Sequence, residues 1–179
     1  MFPPQVAVID FEACGFGPGT WPIEVGWIRA GDQSPRSMTI RPHPKFNLDL
    51  WQPGSQKIHK LTLPEIQRDG MEAVDVLAAM RRDLAGCIVI SDAPSFDQSW
   101  LNTLALACDQ APPFQIADLI AVFNLFHKIT GATVRDMLNE FRLSMERSGP
   151  APHRAGDDVF QVMSALRAAF SAATKTFSP

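Results

Sequence analysis

The acidic pair Asp10 and Glu12 directly follows the apolar, β-branched run Gln5–Ile9, which predicts a β-strand. Residues i and i+2 of a strand point to the same face, so both carboxylates project together. Neighbouring carboxylates repel each other unless a cation neutralises them, and hard ions such as Mg²⁺ and Mn²⁺ prefer oxygen ligands. The pair therefore indicates a divalent metal site, although two unrelated acids at a solvated strand end have the same pattern.

A second acidic position, Asp97, lies in the middle of the chain. The run Gly86–Ile90 predicts a buried strand, and a helix is predicted to begin near Ser95. Asp97 then falls in the first helical turn, where an acid complements the helix dipole without any metal. Asp92, at the end of the strand, competes with Asp97 for a role as metal ligand.

A third segment places His153 five residues before Asp158, on a glycine-containing loop that leads into an amphipathic helix. Both side chains can face one cavity, and an imidazole with a pKa near neutrality suits a general base. An acid at a helix N-terminus also needs no function. The remaining histidines are predicted to be surface or capping residues: His43, His59 and His127.

In this order, the three segments resemble the motifs of the DEDDh 3′–5′ exonucleases, the DnaQ-like group of the ribonuclease H-like superfamily. Asp10 and Glu12 match the D-x-E of the first motif, and Asp97 matches the second, within Phe-Asp-x-x-aromatic-Leu. His153 and Asp158 match the H-x₄-D of the third. Pro22–Gly26 also resembles the second strand of that family, which often carries I-E-I-G, and the resemblance spans nearly the whole chain.

The resemblance implies an enzyme that removes nucleoside 5′-monophosphates from the 3′ end of nucleic acid. It implies two divalent ions, Mg²⁺ or Mn²⁺, and His153 as the general base that deprotonates the attacking water. The metal ligands would be Asp10, Glu12, Asp97 and Asp158. Gly15 is retained after the first motif, and Phe16 replaces a common leucine as an apolar wedge against the terminal base.

The order of predicted elements indicates an α/β fold with a mixed sheet flanked by helices. The first strand is expected at the centre, with Asp10 and Glu12 on its exposed face, and the resemblance implies the ribonuclease H-like fold with a five-stranded mixed sheet. We expect a single exonuclease domain over residues 1–179, with its core at about 5–172 and a frayed tail from Lys175. Further strands are predicted over 22–30, 36–41 and 114–118, and helices over 72–84, 119–129, 133–141 and 159–166, whereas 42–60 is predicted to be an irregular loop at the rim of the site.

The charge and the cysteines suggest the partner and the compartment. The net charge is −3 and no long basic run occurs, so we expect single-stranded or short nucleic acid held by few phosphate contacts. Three widely spaced cysteines suit the reducing cytoplasm. No apolar stretch reaches the length of a membrane span, so we expect no membrane partner. The apolar faces of the later helices fit either a core or a homodimer. Phe16, Trp21 and Trp51 are candidates for base stacking, with a place in the core as the alternative, whereas Trp27 and Trp100 are predicted to fill the core.

Two alternatives stay open from the sequence. The chain can be a non-catalytic nucleic-acid-binding or scaffold module of the same fold, or a hydrolase of a small phosphoester. Neither the choice between RNA and DNA nor the pathway follows from these residues, because sugar discrimination depends on contacts to one 2′-hydroxyl.

Overall fold

The computed structural model describes residue 3, residues 5–150 and residues 153–175. Its centre is a five-stranded sheet in the order β3-β2-β1-β4-β5. The strands are β1 (Val6–Ala13), β2 (Pro22–Arg29), β3 (Arg36–Thr39), β4 (Ile88–Ser91) and β5 (Ala117–Asp118). β1 pairs antiparallel with β2 and parallel with β4, so the predicted mixed sheet with a central first strand is confirmed. The frayed tail predicted beyond Lys175 lies outside the described residues.

Seven α-helices accompany the sheet in the described part of the chain. They are α1 (Pro53–His59), α2 (Leu63–Asp69), α3 (Ala73–Asp83), α4 (Pro94–Ala107), α5 (Leu119–Thr130), α6 (Val134–Ser148) and α7 (Ala155–Lys175). Local signals set their ends: Thr62 and Glu65 form a capping box at α2, and Gly131 ends α5 in a left-handed conformation. Among these residues no helix combines the length and apolar character needed to cross a bilayer.

Alternation along β1 divides the core into two layers. Ala7, Ile9 and Phe11 pack with α3 and α4, whereas Val6 and Val8 pack with α5, α6 and α7. Asp10 and Glu12 continue the second face. The expectation that this face is exposed is wrong, because α7 covers it and leaves both carboxylates half-buried. The predicted core positions of Trp27 and Trp100 are confirmed.

Several boundaries differ from the sequence predictions. β1 continues to Ala13, because Asp10 pairs opposite Gly26 and Glu12 opposite Glu24 on β2. β5 keeps two of the five predicted residues, since the Ile116 backbone N–H donates to the Gln98 side chain and not to a strand. The irregular loop predicted over 42–60 is also wrong in part: it contains α1, where Pro53 occupies the first helical position, which tolerates proline. α6 runs on to Ser148, and α7 starts at Ala155.

Candidate active site

Asp97 is held by hydrogen bonds from a backbone N–H of β1 and from a side chain of β4. Its Oδ1 accepts from the backbone N–H of Phe11 at 3.1 Å, between the two acids of β1. Its Oδ2 accepts from the Ser91 hydroxyl, and Ser91 Oγ accepts from the backbone N–H of Ala93 at 2.9 Å. Only 1 % of Asp97 is exposed. Its carboxylate therefore faces β1, a position that a purely dipole-stabilising acid does not require.

The acidic residues and His153 form two adjoining groups. One oxygen from each of Asp10, Asp92 and Asp97 lies within 4.8 Å of the others. A second group, with the same spacing, contains ligand atoms of Glu12, His153 and Asp158. The structure thus brings all five predicted site residues together, and it adds the exposed Asp92, which competed with Asp97 in the sequence.

Burial and mutual repulsion raise the pKa values of these acids. Burial is the main cause at Asp10, whose pKa lies well above its ordinary range, with further repulsion from Asp97 and Glu12. Burial likewise raises the pKa of Glu12 to about 8, that of Asp97 to about 7 and that of Asp158 to about 6. Such a group of carboxylates carries protons at neutral pH unless a cation compensates the charge.

The donors fit divalent metal ions. All four predicted ligands offer carboxylate oxygens, which hard ions prefer. Oδ1 of Asp158 is buried and has no hydrogen-bond partner among the described residues. A buried carboxylate oxygen without a partner is costly, and a bound cation would satisfy it.

His153 is exposed and adopts a left-handed backbone conformation, with φ of 55°. The next residue, Arg154, donates from Nε and Nη2 to the Glu24 carboxylate at 3.0 and 2.7 Å. The Arg154 guanidinium therefore binds a buried carboxylate of β2.

An apolar cavity of about 120 Å³ opens beside Glu12 and His153. Phe16 forms one wall and is 61 % exposed, with its ring edge-on to Phe96 at a centroid distance of 6.2 Å. Gly15 also lines the cavity, and a Cβ there would lie 2.3 Å from the Gln52 side chain. Gln52 holds this loop by accepting from the Phe16 N–H and donating to the Phe16 carbonyl.

Two predictions about ring side chains are wrong, those for Trp21 and His59, whereas base stacking by Trp51 stays a prediction. Trp21 is fully buried, stacked on Phe46 at a centroid distance of 5.4 Å, so its predicted base stacking is wrong. Trp51 is half-buried, and its indole Nε1 donates to Gln56. His59 is 1 % exposed and lines the cavity, so its prediction as a surface residue is wrong, whereas its bond to the Leu61 N–H just beyond α1 agrees with a capping role.

The burial of His59 depends on tertiary contacts, among them the Trp51 ring, which lies edge-on to it at a centroid distance of 5.8 Å. Its Nδ1 accepts from the Leu61 backbone N–H, which places the ring proton on Nε2. That Nε2 is buried and finds no partner among the described residues. Burial lowers the pKa of His59 to about 4, so the ring is neutral at pH 7.

Comparisons with known proteins give structural neighbours only. No protein-family model matches the sequence, and no curated protein matches it. One structural neighbour is E. coli exonuclease I in complex with a dT13 oligonucleotide, with a TM-score of 0.63, 15 % identity and 89 % of this chain covered. Another is the nuclease domain of 3′hExo, a DEDDh family member bound to rAMP, with a TM-score of 0.62, 13 % identity and 94 % of this chain covered. A third is a moderately thermophilic exonuclease I from Methylocaldum szegediense, with a TM-score of 0.61, 15 % identity and 93 % of this chain covered.

The chain spans different shares of these neighbours: 39 % of the E. coli exonuclease I chain, 42 % of the Methylocaldum enzyme and 93 % of the 3′hExo nuclease domain. The chain therefore has the ribonuclease H-like fold of the DEDDh 3′-exonucleases, and the fold implied by the sequence resemblance is confirmed.

Proposed function

We propose that this chain is a DEDDh 3′–5′ exonuclease domain that hydrolyses single-stranded or short nucleic acid to nucleoside 5′-monophosphates. One observation carries the proposal: four carboxylates and one histidine from three distant segments meet beside an apolar cavity. The fold shared with 3′-exonucleases supports it. The side-chain types are those needed to hydrolyse an anionic phosphodiester.

The metal ligands in this proposal are Asp10, Glu12, Asp97 and Asp158, holding two Mg²⁺ or Mn²⁺ ions. A pair of such ions supplies activation of water and stabilisation of the leaving oxygen. Asp97 is fixed by Phe11 and Ser91, so one ligand is preorganised by the junction of α4 with β1. Asp158 is placed by the first turn of α7.

His153 is the proposed general base. Its ring lies against Glu12 and Asp158 and is exposed to solvent, so an imidazole nitrogen can accept a proton from the attacking water. The adjacent carboxylates stabilise the imidazolium that forms. The proton can then leave to solvent, because His153 is exposed.

The cavity beside the acids is the proposed site of the terminal base. Phe16 offers an exposed ring for stacking, and Trp100, whose ring centroid lies 6.3 Å from that of Phe16, also lines the cavity. Gly15 permits the backbone to approach the Gln52 side chain and so to set the Phe16 position. A small cavity and a net charge of −3 favour one 3′-terminal nucleotide with few phosphate contacts.

Digestion of matched 5′-labelled single-stranded RNA and DNA tests this function. With Mn²⁺ or Mg²⁺, we expect a ladder that shortens from the 3′ end, and no shortening with EDTA or with the Asp10→Ala variant. The preferred polymer then reveals the sugar specificity. If neither polymer shortens although the protein binds Mn²⁺, the proposal fails in favour of a small phosphoester substrate or a non-catalytic module.

A further inference from the structure

Glu24 of β2 is a buried carboxylate that accepts four hydrogen bonds. Two come from the Arg154 guanidinium, one comes from the Ala155 backbone N–H at 3.1 Å, and one comes from the Ser37 hydroxyl at 2.9 Å. Its side chain is 2 % exposed. Burial alone would raise its pKa, but the hydrogen bonds and charge of Arg154, with Ser37 and Ala155, hold that pKa below its ordinary value. Glu24 therefore stays ionised inside the protein.

The Ala155 N–H begins α7 and belongs to the helix-terminal donors that have no partner inside a helix. Glu24 satisfies this donor from a different strand. Its negative charge also lies at the positive end of the α7 dipole. One carboxylate thus fixes both the residue that follows His153 and the start of the helix that carries Asp158.

Gly26, two residues further along β2, lets α7 approach the sheet. A Cβ on Gly26 would lie 2.3 Å from the carbonyl carbon and oxygen of Ala155 and 2.6 Å from the backbone nitrogen of Gly156. Backbone atoms cannot move aside as a flexible side chain can. The spacing of Glu24 and Gly26 therefore places one hydrogen-bonding group and one position without a side chain under the turn formed by His153–Gly156.

The register of β1 and β2 explains why this contact matters for the site. Glu24 is the partner of Glu12 in the ladder, and Gly26 is the partner of Asp10. The turn that is fixed on β2 therefore lies beside both acids of β1. His153, the first residue of this turn, has a left-handed conformation, and such a conformation persists only where the surroundings impose it.

We propose that Glu24, Gly26 and Arg154 position the general base: they hold the His153–Gly156 turn against β2 so that His153 faces Glu12 and Asp158. This role rests on the proposed exonuclease function. Glu24 and Arg154 are positioning residues, because Glu24 lies behind the turn and the Arg154 side chain is occupied by Glu24. This role also gives a structural reason for the glutamate and the glycine within Pro22–Gly26, which are Glu24 and Gly26.

The first test compares wild type with Glu24→Gln, which keeps the shape and removes the charge. Its matched control is Asp83→Asn, which removes a carboxylate from ion pairs with Arg36 and Arg82. We expect Glu24→Gln to lower kcat about 10–100-fold, the usual effect of losing a group that orients an active-site residue, with KM and calorimetric Mn²⁺ affinity within about threefold of wild type. The control should retain full activity.

A second readout needs neither metal nor activity. In the metal-free protein, the Ala155 amide should exchange with solvent at least about tenfold faster in Glu24→Gln than in wild type, because a charge-assisted hydrogen bond is lost. Exchange of the α3 amides should stay unchanged. An equal exchange rate for Ala155 in both proteins would overturn the contact that the proposal needs.

Arg154→Ala gives an independent variant if Glu24→Gln folds poorly. Added guanidinium at millimolar concentration should restore part of its kcat, whereas the same concentration of ammonium should not, because only the planar fork fits the Glu24 carboxylate. An inactive wild type overturns the proposed function itself. An active wild type whose Glu24→Gln and Arg154→Ala variants both keep full kcat overturns only the positioning role.

Discussion

Replacing Asp97 by asparagine is expected to stabilise the metal-free protein near pH 8 while removing its activity. Asp97 is almost completely buried, and burial, followed by repulsion from Asp92, raises its pKa from an ordinary 3.8 to about 7. The hydrogen bonds from Ser91 and Phe11 offset part of this effect. An ionised Asp97 without a cation therefore opposes folding.

The direction in which pH changes the free energy of unfolding follows from proton binding. Between about pH 4 and pH 7 the folded protein keeps a proton on Asp97 that the unfolded chain has lost, so the free energy of unfolding falls as the pH rises. At about 1.36 kcal/mol for each pKa unit, ionising Asp97 near pH 8 costs the fold about 4 kcal/mol as an upper limit. Asparagine avoids this cost, but its single oxygen is taken by the Phe11 N–H, so its Nδ2 must donate to Ser91 Oγ in a weaker hydrogen bond, and we expect a net gain of about 2 kcal/mol.

For a chain of this size, a gain of about 2 kcal/mol raises Tm by roughly 4–8 °C. Scanning calorimetry in EDTA measures it at about pH 8 and about pH 5, and the advantage of Asp97→Asn over wild type should shrink by more than half at the lower pH. Asp83→Asn is the control and should show no gain at either pH. A lower Tm for Asp97→Asn near pH 8, or a gain that does not depend on pH, would refute the electrostatic account of this site.

Three further predictions concern metal, base and substrate. Because the pKa values of Glu12, Asp97 and Asp158 are about 8, 7 and 6, Mn²⁺ must displace protons, so its affinity should rise from about pH 6 to pH 8. Calorimetry in two buffers of different ionisation enthalpy counts the released protons, and a count of zero would contradict the prediction. His153→Ala should lower kcat by about 10²–10⁴-fold with Mn²⁺ binding nearly unchanged; a full rate would mean that the base is another group. Phe16→Ala should raise KM for a short oligonucleotide at least about fivefold through lost stacking, whereas Leu143→Ala, an exposed apolar residue of α6, should not.

The parts of the site that follow from local sequence could be predicted. Asp10 and Glu12 share a face because alternation is a property of any strand, and their position on the central strand follows from the order of the elements. The placement of Asp97 and His153 beside them needed the resemblance to a known family. Spacing along the chain does not determine which distant elements meet.

The parts that depend on packing between distant segments could not be predicted. Trp21 has an aromatic ring suited to base stacking, but Phe46 covers this ring and the Asn47 carbonyl accepts from its indole N–H at 3.0 Å. His59 is buried at the end of α1, within residues 42–60. The prolines of this segment predict a loop, but part of it is helical. Glu24 resembles a family residue in the sequence, but its contact with Arg154 spans 130 positions and is visible only in the fold.

The most direct test of the central claim identifies the product. A short single-stranded oligonucleotide of the preferred sugar is digested with Mn²⁺ in H₂¹⁸O, and the products are followed by mass spectrometry over time. The account predicts nucleoside 5′-monophosphates, each with one ¹⁸O on its phosphate, released one at a time from the 3′ end. Nucleoside 3′-monophosphates, internal fragments or an intact strand would contradict it.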